Sequence, residues 1–194
     1  LKWMAPSSDE PALEAMFRRE RDILASLEHP GIARLLDGGR LAGGMLWFAM
    51  ELVEGEPLDA WCERRGFSQA ARIDLLLELC AALAFAHARL LVHRDIKPAN
   101  VLVAADGRVR LLDFGIARLL DQNDLSGNFA LTPGFASPEQ LRGETVTVAS
   151  DVYQVGLLLA LLLGVLPRRP DAAHATLSGA TGPGPVALDG RALA

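Results

Sequence analysis

The sequence predicts an α+β fold, with strands crowded towards the start of the chain and helices dominating the rest. Strand-like runs crowd near the start of the chain, around one amphipathic helix. Two long apolar helices dominate the later part. Between those helices, "VHRDIKPANVLV" (residues 92–103) sets an acid, two bases and an amide among residues otherwise suited to a buried strand.

The elements follow in order. "LKWMA" at residues 1–5 reads as the end of a strand. A helix follows with Ser8 or Asp9 as N-cap and Pro11 in its first turn. Its inner stripe is Phe17, Leu24 and Leu27, and Glu20 falls on the same face by helical spacing. "ARLLDGG" and "MLWFAMELV" are two strands, parted by a glycine-rich turn from Gly38 to Gly44. Ser68 caps a helix running to about Arg89, with Ile73, Leu76, Leu77, Cys80, Leu83, Ala84 and His87 expected on its inner side. His87 on that stripe reads as a satisfied core histidine. "VLVAADGRVRLLDF" is a hairpin turning at Asp106-Gly107. Residues 116–149 read as loop-rich, and a leucine-rich helix starts near Ser150. Beyond Pro167 the composition shifts to Gly, Ala and Pro without a period.

Bulk properties narrow the function. With 194 residues, 51% of them hydrophobic and 22% charged, the chain can bury one large core or two small ones. A net charge of −5 argues against a nucleic-acid surface, so any phosphate must be gripped by a few local groups. Cys62 and Cys80 lack CxxC spacing and read as reduced thiols. No basic-apolar-small leader opens the chain, and "VGLLLALLLGVL" (155–166) is too short to span a bilayer. The expectation is a cytoplasmic chain without membrane contact of its own, compatible with an anchor elsewhere in a longer product.

Chemistry concentrates in His93-Arg94-Asp95, Asn100 five residues after the Asp, and Asp113-Phe114-Gly115. This ordered set resembles the catalytic loop and magnesium motif of eukaryotic-type protein kinases, and specifically the bacterial (Hanks-type) serine/threonine kinases. The resemblance implies a protein kinase-like two-lobe fold, with a small β-rich lobe over 1–53, a mainly helical large-lobe core over 54–169 and a poorly specified tail over 170–194, and with it ATP, Mg2+ (or Mn2+) and protein substrates with Ser or Thr acceptors. Phosphoryl transfer needs positioning and charge neutralisation more than covalent help. Asp95 is then the group that orients the attacking hydroxyl and takes its proton, with Lys97 beside the transferred phosphate. Asn100 and Asp113 supply hard oxygen ligands for the metal.

Further roles come with the same resemblance. Lys2 would grip the nucleotide phosphates and pair with Glu20, a partner for an acid on an apolar stripe. "FAMELVEG" resembles the hinge between lobes: Met50 controls the back pocket, the backbone of Glu51 and Val53 meets adenine, and Leu102 packs beneath the base. Residues 113–139 resemble an activation segment ending in Ser137-Pro138-Glu139. Thr132 would contact Asp95 and Lys97, and Ser126 or Thr132 could carry a phosphate paired with Arg94. Asp151 would hold the catalytic loop near His93, besides being favoured at a helix N-terminus.

The glycine-rich loop of such kinases is expected upstream of Lys2, and no match to the last large-lobe helices appears beyond Pro170. Open strand edges and an uncovered apolar face over residues 152–166 predict self-association. A non-catalytic pseudokinase or nucleotide-binding interaction module is the alternative function, and a small-molecule phosphotransferase ranks below it for want of a segment like "TPGFASPEQ".

Overall fold

The computed structural model describes residues 2–3, 11–41, 44–114 and 134–166. Strand β1 (Lys2–Trp3), helix α1 (Pro11–Ala25), β2 (Leu35–Arg40) and β3 (Leu46–Met50) come first. β4 (Gly55–Pro57), α2 (Leu58–Arg64), α3 (Gln69–His87), β5 (Val101–Ala104) and β6 (Val109–Leu111) follow. α4 (Pro138–Leu141) and α5 (Val148–Leu162) complete the described elements. The strands form two antiparallel sheets, β1-β3-β2 and β4-β5-β6.

α1 packs on the first sheet through the apolar stripe its sequence encodes. Phe17, Leu24 and Leu27 are all buried, and the Phe17 ring lies 4.6 Å from that of Phe48 on β3. Each such side chain contributes roughly 1.5–3 kcal/mol relative to its exposed state. The glycine-rich turn is shorter than expected, because β2 continues through Gly38 and Gly39 to Arg40. The aromatic residues of β3 explain it. A Cβ on Gly38 would stand 2.8 Å from the Phe48 ring, so glycine here is a strand residue that lets an aromatic side chain lie across the backbone.

The segment after α1 ties the two sheets together. Ile32 forms a parallel bridge with Leu111. The Ala33 amide donates to the Leu111 carbonyl (2.9 Å), and the Leu111 amide donates to Gly31 (2.8 Å). β5 and β6 are therefore fixed to the α1–β2 connection at the point where the chain leaves β6 towards Asp113.

In the larger part, α3 begins where Ser68 accepts a hydrogen bond from the Ala71 amide. Its buried face is Leu75, Leu76, Leu79, Ala82, Leu83 and Ala86. Ile73, Leu77, Cys80 and Ala84, expected inside, are exposed. Apolar residues surround this helix, so periodicity alone leaves its rotation undetermined. Arg72 fastens α3 to the end of α5, donating to the Leu162 carbonyl (2.5 Å), where a cation also complements the helix dipole. The hairpin of β5 and β6 turns at Gly107 with φ +81°. α5 starts two residues before Ser150, because Thr147 caps it by accepting from the Ala149 amide. Three short elements, β4, α2 and α4, have no counterpart in the sequence reading. The tail from residue 170 lies outside the described residues. Among those described, no helix is long and apolar enough to cross a membrane.

Candidate active site

The loop from Leu91 to Asn100 is held from below by α5. Asp151 is fully buried, and its carboxylate accepts from the His93 amide (2.8 Å), the Arg94 amide (2.8 Å) and His87 Nε2 (2.7 Å). Arg94 adopts φ +71°, a conformation that costs a non-glycine residue roughly 1–2 kcal/mol. Two charge-assisted bonds to consecutive amides offset that cost. Asp151 thus sits near the start of its helix and also holds the loop, and His87 is the satisfied core histidine expected.

Above this anchor the polar residues of the loop converge. A 3-10 turn over Pro98–Asn100, closed by the Asn100 amide on Lys97 O (2.9 Å), folds the chain back on itself. Asn100 Nδ2 then donates to the Asp95 carbonyl (2.7 Å) and to Asp95 Oδ2 (3.0 Å). Lys97 Nζ lies 2.9 Å from the same carboxylate oxygen. Asp95, Lys97 and Asn100 therefore form one contact group. Because Asn100 commits its NH2 to Asp95, the amide orientation is fixed and Oδ1 faces the other way, as a hard oxygen donor suited to magnesium.

Asp113 is brought to this group through its neighbour. The Leu112 amide donates to Asn100 O (2.8 Å), and the Leu112 carbonyl accepts from His93 Nε2 (2.7 Å). With Leu112 clamped on both sides, Asp113 follows in a left-handed conformation (φ +51°) and Phe114 returns to the core against His93, rings 4.8 Å apart. His93 Nδ1 accepts from the Asp95 amide (3.3 Å), so its two ring nitrogens have opposite roles and the ring is neutral. Burial holds its pKa below the ordinary histidine value, outweighing the nearby carboxylates.

The residues expected to form the hinge follow the end of β3. Met50 ends β3 and lines a small apolar cavity with Leu24, Leu27, Ile32, Leu35 and Phe114, so the hinge and the Asp113 segment share one wall. The Glu51 amide is spent on the Arg34 carbonyl (2.8 Å), so at this residue only the carbonyl remains to meet a base. Among the described residues the Val53 amide has no hydrogen-bond partner. Leu102 is half-buried on the β5 face opposite the buried Val101 and Val103, a position open to a ligand. Of Lys2 and Glu20 only the backbone is described. Lys2 pairs with Phe48, whose ring meets Phe17 one helical turn before Glu20. Ser126 and Thr132 lie outside the described residues.

Residues 137–140 pack under the loop. Glu139 accepts a short hydrogen bond from the Ser150 hydroxyl, the first cause of its lowered pKa. Gln140 donates to the Arg94 carbonyl (2.7 Å) and accepts from the Ser137 amide (2.9 Å). Gln154 of α5, buried, accepts from the Ile96 amide (2.8 Å) and donates to Gln140 Oε1 (2.9 Å). Sequence reasoning missed both glutamines. The available signal was Gln154 itself, an amide three residues after Asp151 on a leucine-rich helix.

A family model, the protein kinase domain, matches residues 1–177. The chain belongs to the protein kinase family. Its sequence is 39% identical to serine/threonine-protein kinase PknA of Mycobacterium tuberculosis over 158 residues, covering 78% of this chain and 37% of that protein. It is 36% identical to the probable serine/threonine-protein kinase PknB of Lactococcus lactis over 165 residues, covering 83% of this chain and 26% of that one. PknB of Mycobacterium leprae matches at 36% over 161 residues, with 79% and 26% covered. This kinase chain therefore aligns with about a quarter to just over a third of each of these curated relatives. Protein kinases use ATP with magnesium, and the oxygen donors at Asn100 and Asp113 fit that ion.

Proposed function

We propose that this chain transfers the terminal phosphoryl group of ATP to serine or threonine hydroxyls of proteins, in keeping with relatives named serine/threonine-protein kinases. The observation that carries the reading is the contact group of Asp95, Lys97 and Asn100, with Asp113 attached to it through the doubly bonded Leu112.

In this reading Asp95 orients the acceptor hydroxyl and takes its proton, while Lys97 places positive charge beside the oxygens of the moving group. Asn100 Oδ1 and the Asp113 carboxylate would hold magnesium. When bound, the ion neutralises charge on the phosphates. The Glu51 carbonyl and Val53 amide meet the adenine edge, with Met50 behind it and Leu102 beneath. By the family resemblance Lys2, paired with Glu20, would reach the phosphates, and Thr132, which lies outside the described residues, would contact Asp95 and Lys97 and favour Ser and Thr acceptors. Apolar packing of Phe114 and the His93 ring keeps the floor of the site dry and rigid.

The test is acceptor chemistry. The full chain is incubated with ATP and Mg2+ or Mn2+, with mixed peptides bearing Ser, Thr or Tyr, and separately with small alcohols. Metal-dependent phosphoserine and phosphothreonine, located by mass spectrometry, is the expected product. Phosphate found only on small alcohols would contradict the assignment, and so would metal-dependent ATP binding without transfer to any acceptor.

A further inference from the structure

Gln154 carries a cluster of bonds that the proposed chemistry does not use. Its side chain is almost wholly buried, and its carboxamide meets the two peptide groups that flank Asp95. Oε1 accepts from the Ile96 amide at 2.8 Å, on the peptide following Asp95. Nε2 donates to the Arg94 carbonyl at 3.3 Å, on the peptide preceding it, and to Gln140 Oε1 at 2.9 Å. Gln140 completes the set: its Nε2 also reaches the Arg94 carbonyl, at 2.7 Å, and its Oε1 takes the Ser137 amide at 2.9 Å.

The directions of these bonds are all determined. Flipping the Gln154 amide would set its NH2 against the Ile96 N–H and its oxygen against two acceptors. Flipping Gln140 would oppose the Ser137 N–H in the same way. The network therefore has one orientation, and it joins α5, the Asp95 loop and the segment entering α4. Asp151 stands one turn earlier on α5 and holds the amides of His93 and Arg94. Asp151 fixes the approach to Asp95, and Gln154 fixes both sides of Asp95 itself.

We propose that Gln154, seconded by Gln140, is a positioning residue that sets the orientation of Asp95 and couples it to the segment ending at Ser137. The inference rests on the reading of Asp95 as the group that receives the acceptor proton. Gln154 touches no reacting atom. Its effect is to keep the Asp95 backbone from rotating, and misplacement of a catalytic group by about an ångström costs on the order of 100-fold in rate.

The experiment compares full-chain Gln154→Met, close in shape but without the amide, with Gln154→Glu, Gln140→Met and Asp95→Asn. Steady-state transfer, urea stability and hydrogen exchange of the 93–96 amides are measured on each. The expected result for Gln154→Met is a kcat lowered about 10- to 100-fold with KM for ATP unchanged. Faster exchange at Ile96 is expected, with His93 and Arg94 still protected by Asp151. Gln154→Glu keeps the Ile96 bond but sets a charge against two oxygens, so it should protect Ile96 without restoring kcat. Gln140→Met should be non-additive with Gln154→Met. Transfer that survives Asp95→Asn, or is missing from the unaltered chain, removes the catalytic reading and this inference with it. Transfer abolished by Asp95→Asn but undiminished in a folded Gln154→Met overturns the positioning role alone. A Gln154→Met chain that does not fold leaves the decision to Gln154→Glu, where an unchanged kcat would overturn the proposal.

Discussion

Replacing Asp151 by alanine removes the acceptor for two backbone donors, the buried amide of His93 and the part-buried amide of Arg94, each now 2.8 Å from its carboxylate. His87 also loses its partner, but it is partly exposed and can turn to water. An orphaned buried donor costs roughly 1–3 kcal/mol, so the two together cost about 2–6 kcal/mol. Native proteins of this kind hold only about 5–15 kcal/mol in total. The same bonds sustain the positive φ of Arg94, so the loop should relax towards ordinary backbone geometry and carry Asp95 with it. Asp151→Asn is gentler. Its oxygen can keep the Oδ2 site, which serves two donors, while its NH2 opposes the Arg94 N–H, for a loss of about 1–3 kcal/mol. Urea unfolding followed by the fluorescence of buried Trp61 measures both variants. An alanine variant within about 1 kcal/mol of the parent, at unchanged m, would refute the anchoring argument.

Acidification should weaken the fold before most carboxylates titrate. The folded-state pKa of His93 is depressed by burial, so the unfolded chain takes up the proton first. The stability this contributes is complete above about pH 6.5 and falls by about 1.4 kcal/mol per pH unit as pH drops towards the folded value. His29, depressed for the same reason, acts in the same direction, so the urea series from pH 8 to 5 is run beside His93→Gln, whose curve should be shallower. Identical slopes would contradict the role given to His93. Two glycines should respond oppositely to alanine. A Cβ at Gly55 would stand 2.7 Å from the Val103 carbonyl, inside the β4–β5 pair, and Gly55→Ala should cost about 1–3 kcal/mol. Gly156, exposed on α5 with nothing within 4 Å of its Cβ position, should gain about 0.5–1 kcal/mol, and thermal melts decide both.

The loop around Asp95 was legible because its groups are contiguous and each is the wrong chemistry for a buried strand. Asp95, Lys97 and Asn100 have no reason to sit between apolar runs unless they act together, and they do meet in the fold. His87 was legible as a polar group on an apolar helix stripe, and Asp151 through the family resemblance and its place at a helix N-terminus. Rotation of α3 was not, because Ile73 and Leu77 are as apolar as Leu75 and Leu79 and only the neighbours decide which are covered. The extent of β2 was hidden because glycine usually marks a turn, whereas Gly38 makes room for a ring from the next strand. β4, α2 and α4 are too short to show a period. Gln154 was visible as an odd amide, but its meaning depends on two peptide groups far away in sequence.

Asp95→Asn is the most direct test of the whole account. Asparagine keeps the size of the side chain and an oxygen for Lys97 and Asn100, but it cannot take a proton from a hydroxyl. The measurement is transfer of labelled phosphate from ATP to a serine- or threonine-bearing acceptor, beside urea stability and metal-dependent ATP binding. The account predicts transfer lowered by at least about 100-fold while the fold and ATP binding persist. Transfer near the parent's rate in that variant would contradict it.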